Sequence, residues 1–206
     1  MSSNIGRYIK MQIFGESHGK AIGVVIDGIP HGINLDMDAI AVQMARRAPG
    51  NDKTSTPRKE ADIPEIISGV LNGVTTGAPL CAMIVNSNTR SGDYSNLVDT
   101  PRPSHADYPA NIRFNGYNDL SGSGHFSGRL TAPMVFAGTV CRQILKEKGI
   151  TVGGHIYSIG EVKDTPFDMV NVDENMLEGL NCRAFSVIDE KSEKEMRDVI
   201  EKARMD

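Results

Sequence analysis

A five-residue turn bounded by glycines, Gly15 to Gly19, joins two strand-like segments, and it constrains the start of this chain more than any other feature. Before it, Arg7 to Phe14 mixes Tyr8, Ile9, Met11 and Ile13 with polar residues, as a strand does. After it, AIGVVIDGI is a β-branched run that stops at Pro30. The turn itself, Gly-Glu-Ser-His-Gly, fits the G-x-S-x-G pattern of a hydrolase nucleophile elbow. An elbow, however, needs a helix after its serine, and here a strand follows. Neighbouring Ser17 and His18 side chains also give poor geometry for a supported triad. Two readings stand on the residues alone: an ordinary turn with a solvated His18, or a turn whose glycines let a ligand approach the backbone closely.

Further along, Asp36 reads as the N-cap of a helix with Asp38 in its first turn and Arg46 and Arg47 in its last, each charge opposing the helix dipole. Pro49-Gly50 ends it, and residues 51–62 read as a polar loop. EIISGV and APLCAMIVN are two more strands around a Gly- and Thr-rich turn. From Asn86 to Gly124 periodicity is lost, and irregular sequence of that length in a compact domain is commonly functional or disordered. Tyr94, Tyr108, Phe114 and Tyr117 favour the ordered alternative. Arg129 to Lys148 predicts a long helix, with Pro133 near its start and Gly149 as its stop. TVGGHIYSIGEV is a strand candidate, and Lys163 to Cys182 reads as loop. Ser192 and Glu195 suggest a capping box ahead of Met196, Val199, Ile200 and Ala203, the spacing of an amphipathic helix. That helix meets no stop signal before Asp206. The expectation is one domain, residues 1–206, truncated at its C-terminal side.

Composition narrows the function class. The chain has 206 residues, 39% of them hydrophobic, enough for a buried core. Its net charge of -4 disfavours a general nucleic-acid binder. No apolar run is long enough to cross a bilayer, and MSSNIGRYIKMQIF lacks the apolar core of a secretory leader. Cys81, Cys141 and Cys182 are odd in number and far apart, which suits neither a disulfide framework nor a zinc knuckle. The expectation is a cytoplasmic protein without a metal.

The strongest local signal is Ser121-Gly-Ser-Gly-His-Phe-Ser-Gly-Arg129, a Gly-rich loop leading into a long helix. Free N–H groups at such a helix start suit an anion, and His125, Ser127 and Arg129 add donors. The glycine spacing is not that of a dinucleotide fingerprint, and no Gly-Lys-Ser/Thr of a P-loop is present. The plainer alternative is a flexible lead-in to a helix. Arg46, Arg47, Lys53, Arg58 and Lys59 form a basic cluster without interleaved aromatics. With Arg102 and Arg129 it suits a small polyanion better than a polymer. His105 lies in Arg102-Pro-Ser-His-Ala-Asp107, where Asp107 can pair with the histidine or an arginine. His31 and His155 read as structural or exposed.

Taken in order, FGESHGKAIGVVIDGIPHG, RRAPGNDKTSTPRKEAD, SGVLNGVTTGAPL, RPSHADYPA and SGSGHFSGRLTAPMVFAGTVCRQIL resemble the chorismate synthase family, from about Arg7 to Gly160. The resemblance implies an α+β fold, a β-α-β sandwich with antiparallel sheets and long helices. It implies a lyase that makes chorismate from 5-enolpyruvylshikimate 3-phosphate by anti-1,4-elimination of phosphate. The family uses reduced FMN, and some members reduce it with NADPH. Homotetramers are typical. By the same resemblance His18 protonates the leaving phosphate, His105 sits by the flavin and protonates its reduced form, and Ser17 holds geometry beside His18. Arg47, Arg102 and Arg129 match arginines around the substrate. Positions 47 and 53, Arg47 and Lys53, correspond to NADP contacts. His125, Phe126 and Ser127 match a triplet that contacts FMN. Many members have Arg-Ser-Ser-Ala-Arg at 125–129, so two donors here become an imidazole and an apolar ring. Family chains run well past Asp206, and their remaining part carries further flavin-binding residues. The expectation is that this polypeptide alone binds FMN poorly and is inactive.

Two rivals come from other classes. A serine hydrolase using Ser17 predicts labelling by a fluorophosphonate. A non-catalytic anion-binding module predicts no turnover under any completion of the chain.

Overall fold

The computed structural model describes residues 3–49, 60–87, 97 and 100–205. Lys53, Arg58, Lys59, Arg90 and Tyr94 lie outside them. The chain divides into two compact units, the first reaching Pro49 and, among described residues, running on from 60 to Val140, the second from Cys141 onward.

The first unit is organised by a five-stranded antiparallel sheet. Its strands are β1 (Asn4–Ile5), β2 (Lys10–Gly15), β3 (Ala21–Asp27), β4 (Glu65–Ser68) and β7 (Leu80–Val85), in the order β1-β2-β3-β7-β4. Between the last two in sequence lies a small hairpin, β5 (Val70–Leu71) and β6 (Val74–Thr75). Asn72 and Gly73, both at positive φ, form its turn, as an Asn-Gly pair does in a tight hairpin. Alternation explains the sheet. Ile13 pairs with Val24, Ile22 with Ile84, Val24 with Ala82 and Ile26 with Leu80, and all of these side chains are buried. A single face thus carries the apolar core, each large side chain contributing about 1.5–3 kcal/mol. On the other face the Phe14 ring lies over Gly23, where an added Cβ would come within 2.4 Å of it.

The α+β class with an antiparallel sheet is therefore as expected. So is the turn at 15–19, which joins β2 to β3 with Gly15 at φ +94. Helix α1 (Met37–Arg47) starts at Asp36, whose carboxylate accepts from Ala39 N–H at 2.9 Å. Ile40 and Met44 face the interior. Helix α3 (Thr131–Lys146) begins two residues later than expected, because Gly128–Leu130 makes a tighter turn before it. Helix α2 (Asp107–Arg113) occupies a stretch read as irregular.

In the second unit the long strand expected at 151–162 is a short hairpin, β8 (Ser158–Ile159) with β9 (Val162–Lys163). The segment read as loop holds helix α4 (Glu174–Cys182), capped by Asp173. Helix α5 (Glu190–Met205) starts before the expected box: Asp189 accepts from Lys191 N–H, while Ser192 is buried and bonds the Lys163 carbonyl. His155 is structural. Its Nδ1 lies 2.8 Å from the buried Asp164 carboxylate, which also accepts from Ile188 and Asp189 N–H. Burial opposes charge on Asp164, but those bonds hold its carboxyl below the ordinary range. No helix among the described residues is long and apolar enough to cross a membrane.

Candidate functional site

The loop Ser121–Phe126 is where the site is assembled. Its middle residues turn left-handed, with φ of 55° at Gly122, 74° at Ser123 and 51° at Gly124. It folds back on the β2–β3 turn. Ser17 N–H donates to the Gly124 carbonyl at 3.1 Å. The His18 ring lies against Gly122 so closely that an added Cβ there would sit 2.1 Å from its Cε1 and Nδ1. Ser17 is 1% exposed, and its Oγ would be 3.0 Å from the same Cβ.

The next residue of the loop holds the second imidazole. Ser123 Oγ is 3.1 Å from His105 Nε2 and accepts from Arg102 Nη2 at 2.8 Å. Two histidines nearly ninety residues apart in sequence thus meet adjacent residues of a single loop. Arg102 also grips Asp107 with both edges of its guanidinium, Nε to Oδ2 at 2.7 Å and Nη2 to Oδ1 at 2.8 Å. Its side chain remains 35% exposed. Of the two partners the sequence allowed Asp107, Arg102 makes the hydrogen bonds, and His105 Nδ1 lies 3.1 Å from its Oδ1.

The bond to Arg102 pulls the Asp107 carboxyl from 3.8 down to about 2, against the opposing effect of burial. A depressed acid contributes stability that is complete above its unfolded value and disappears as pH falls through the folded one. Acid unfolding between about pH 4 and pH 2 is expected to be less steep in Asp107→Asn. An identical acid limb in that variant would show that the pair carries no such stability.

A second cluster surrounds Asp62, which sits at φ 49 with a fully buried side chain. Arg47 from the end of α1 and Arg129 from the turn before α3 both bond its carboxylate. Arg129 is also paired with Glu60, and its Nε donates to Asn86 Oδ1 at 3.0 Å. Asn86 Nδ2 in turn donates to the carbonyls of Glu16 and Gly19, at 3.0 and 2.8 Å. The chain of contacts from Asp62 therefore ends on the turn that carries Ser17 and His18. Arg47 adds a bond to the Gly128 carbonyl at 3.2 Å and keeps a side chain 19% exposed.

His125 and Phe126 are placed differently. His125 Nδ1 lies 2.9 Å from the Gly15 carbonyl, so it must donate there, and the neutral ring's Nε2 accepts from Ser3 Oγ at 2.8 Å. Phe126 packs against Phe114, ring centres 6.1 Å apart. Ser127 caps Arg129 N–H at 3.3 Å. Beside His125 an open pocket of about 480 Å3 is lined also by Gly15, Glu16, Gly19, Lys20 and Ala21. That volume lies in the range of small-molecule sites. Two glycines allow close approach, and Lys20 offers a cation. Among the described residues no group of three or more His, Cys, Asp or Glu could hold a metal.

Asp62, Glu60 and Asn86 carry no local sequence signal, because their partners are distant in the chain. Ser123 has one: a serine between two glycines at a place where the backbone turns left-handed.

Residues 9–206 match the family profile described as chorismate synthase. The chain is 46% identical to the chorismate synthase of Thermococcus gammatolerans over 77% of its length and 44% of that protein's. It is 47% identical to that of Burkholderia cenocepacia, covering 85% of this chain and 48% of the other. The chain belongs to the chorismate synthase family. With the chorismate synthase of Aliarcobacter butzleri it shares 40% identity over 98% of its length and 54% of the relative's. It spans about half the length of the curated relatives it matches. A crystal structure of chorismate synthase superposes with a TM-score of 0.65 at 24% identity, over 97% of this chain and 54% of that one, and shares its fold.

Proposed function

We propose that the protein carrying this chain is a lyase that converts 5-enolpyruvylshikimate 3-phosphate to chorismate and phosphate by anti-1,4-elimination, with reduced FMN. The family and the relatives' names support the reaction. The observation that carries it in this chain is the convergence of His18 and His105 on Gly122 and Ser123. His18, on a turn pinned from both sides, holds a proton where a departing phosphate needs one, and an imidazole titrates near neutrality. Ser17 fixes that turn through its bond to Gly124. His105 holds its proton on the far side of the same loop, against Ser123 Oγ. Arg102 and Arg47 keep exposed edges for the substrate's phosphate and carboxylates, as guanidiniums suit both. Arg129, nearly all of it buried, serves by holding Asp62 and Asn86 in place.

The residues around the open pocket fit a flavin mononucleotide: Lys20 for its phosphate, the glycines for close approach, and the edge of His125. Reduced FMN, when bound, supplies the electron-rich partner that the elimination needs without net redox change. Phe126 and Ser127, which follow His125 in sequence, are included as flavin contacts on family grounds. We extend the proposal to NADPH as flavin reductant with contacts at Arg47 and Lys53, to a homotetramer and to the cytoplasm, all on family grounds.

Anaerobic phosphate release from the substrate, with reduced FMN and the protein that carries this chain, tests the reading. Absence of release with flavin bound would sink it. A fluorophosphonate is expected to leave Ser17 unlabelled, since the serine is buried and followed by a strand. Labelling that disappears in Ser17→Ala would favour the hydrolase instead.

A further inference from the structure

We propose that Ser123 is a positioning residue that holds the ring of His105 with its proton on Nε2. This rests on the lyase reading only for the use to which that proton is put.

The two ring nitrogens of His105 meet different chemistry. Nδ1 lies 3.0 Å from the Ala106 N–H and 3.4 Å from Arg102 Nη2, both donors, and 3.1 Å from Asp107 Oδ1. Asp107 is already bonded by the N–H, Nε and Nη2 of Arg102. The two hydrogens of Arg102 Nη2 go to Asp107 Oδ1 and Ser123 Oγ, so the donor aimed at Nδ1 is the Ala106 N–H, and Nδ1 accepts from it. A neutral imidazole has a single N–H, which then sits on Nε2 and donates to Ser123 Oγ at 3.1 Å. Arg102 Nη2 donates to that same oxygen at 2.8 Å.

Both acceptor positions of the hydroxyl are thus filled, and its own proton is left to donate away from His105 and Arg102. Ser123 ties the charged Arg102–Asp107 pair to the ring and fixes the ring's rotation about its last bond. The backbone supports a purpose for this side chain. A φ of 74° is uncommon for anything but glycine, and glycines flank it on both sides. A serine kept in such a place contributes its hydroxyl, since the backbone there would be more relaxed without a Cβ.

The test is nitrogen NMR of the 15N-labelled protein, without substrate or cofactor. Five histidines give a small set of ring signals, and His105→Asn identifies the one in question. Where the ring carries a single proton, His105 is expected to show a bare Nδ1 and a protonated Nε2. A neutral His105 with its proton on Nδ1 overturns the proposal, and that measurement needs no change at 123.

In Ser123→Gly, which suits the left-handed backbone, the Nε2 proton is expected to lose its hydrogen-bonded shift and to exchange faster with water, the other four histidines keeping their signals. His105 signals that coincide with those of the unsubstituted protein would overturn it too. Turnover is then measured separately. Under the lyase reading, Ser123→Gly lowers kcat while the substrate's KM stays near its original value. A protein that releases no phosphate yet shows the Nε2–H tautomer refutes the lyase reading alone. An active protein with the other tautomer refutes this inference alone.

Discussion

Asp62→Ala is expected to lower the unfolding free energy by about 3–5 kcal/mol, the usual cost of removing one member of a buried ion pair. The size follows from what is left behind. Asp62 is fully buried and takes bonds from both Arg47 and Arg129. Without it two guanidiniums face each other, and Arg129, with a side chain only 3% exposed, keeps Glu60 as its remaining carboxylate. Desolvated charge that has lost its partner is expensive, more so than an absent salt bridge on the surface. Arg47→Ala is the control: that side chain is partly exposed and is expected to cost about 1 kcal/mol or less. Urea unfolding of the three proteins, followed by circular dichroism, separates the cases. A loss below about 1 kcal/mol for Asp62→Ala would mean that the cluster is not the support described here. The same variant should also loosen the β2–β3 turn, since Arg129 holds Asn86 and Asn86 holds the carbonyls of Glu16 and Gly19. Faster amide exchange at Gly19, whose N–H bonds the Glu16 carbonyl, would report it.

Strands β2, β3 and β7 were legible because their side chains alternate and one face is buried, so Ile22, Val24 and Ile26 announce themselves at period two. Helix α1 was legible because its cap and its end charges are local. Helix α2 was not. It is seven residues long, contains Pro109, and buries only Asp107 and Ala110, so no apolar stripe marks it. Helix α4 hides for a similar reason: Leu180 and Asn181 are its buried residues, and Gly179 interrupts it. Its cap, Asp173, was the signal available. At the site, the histidines and arginines could be singled out by residue type, but not what they touch. The Gly-rich segment 121–129 suggests an anion site at a helix start, but its sequence does not show that the left-handed run Gly122-Ser123-Gly124 turns its backbone toward Ser17 and His18. That outcome depends on contacts between residues some hundred positions apart, which no local pattern encodes. The pairing of Asp62 with two arginines is hidden in the same way.

His18→Ala and Gly122→Ala should fail together. Under the lyase reading, loss of the imidazole that protonates the departing phosphate is expected to cut kcat by about 10²–10⁴ with the fold retained. Gly122→Ala removes no functional group, yet it is expected to approach the same loss. Its new Cβ would meet the His18 ring at 2.1 Å, far inside van der Waals contact, and φ +55 is a conformation that alanine resists. The ring must therefore move. A stability cost of about 1–2 kcal/mol from the backbone accompanies the substitution and is measured independently. The two changes act on one geometry, so their effects on turnover cannot add. The double variant is expected to be no slower than His18→Ala alone. Losses that multiply instead would show that Gly122 acts on catalysis by some route other than the seat of His18, and the convergence of the two imidazoles on this loop would lose its meaning. His105→Ala gives the complementary case. Its ring contacts Ser123 rather than Gly122, so Gly122→Ala combined with His105→Ala should lower kcat beyond either single change.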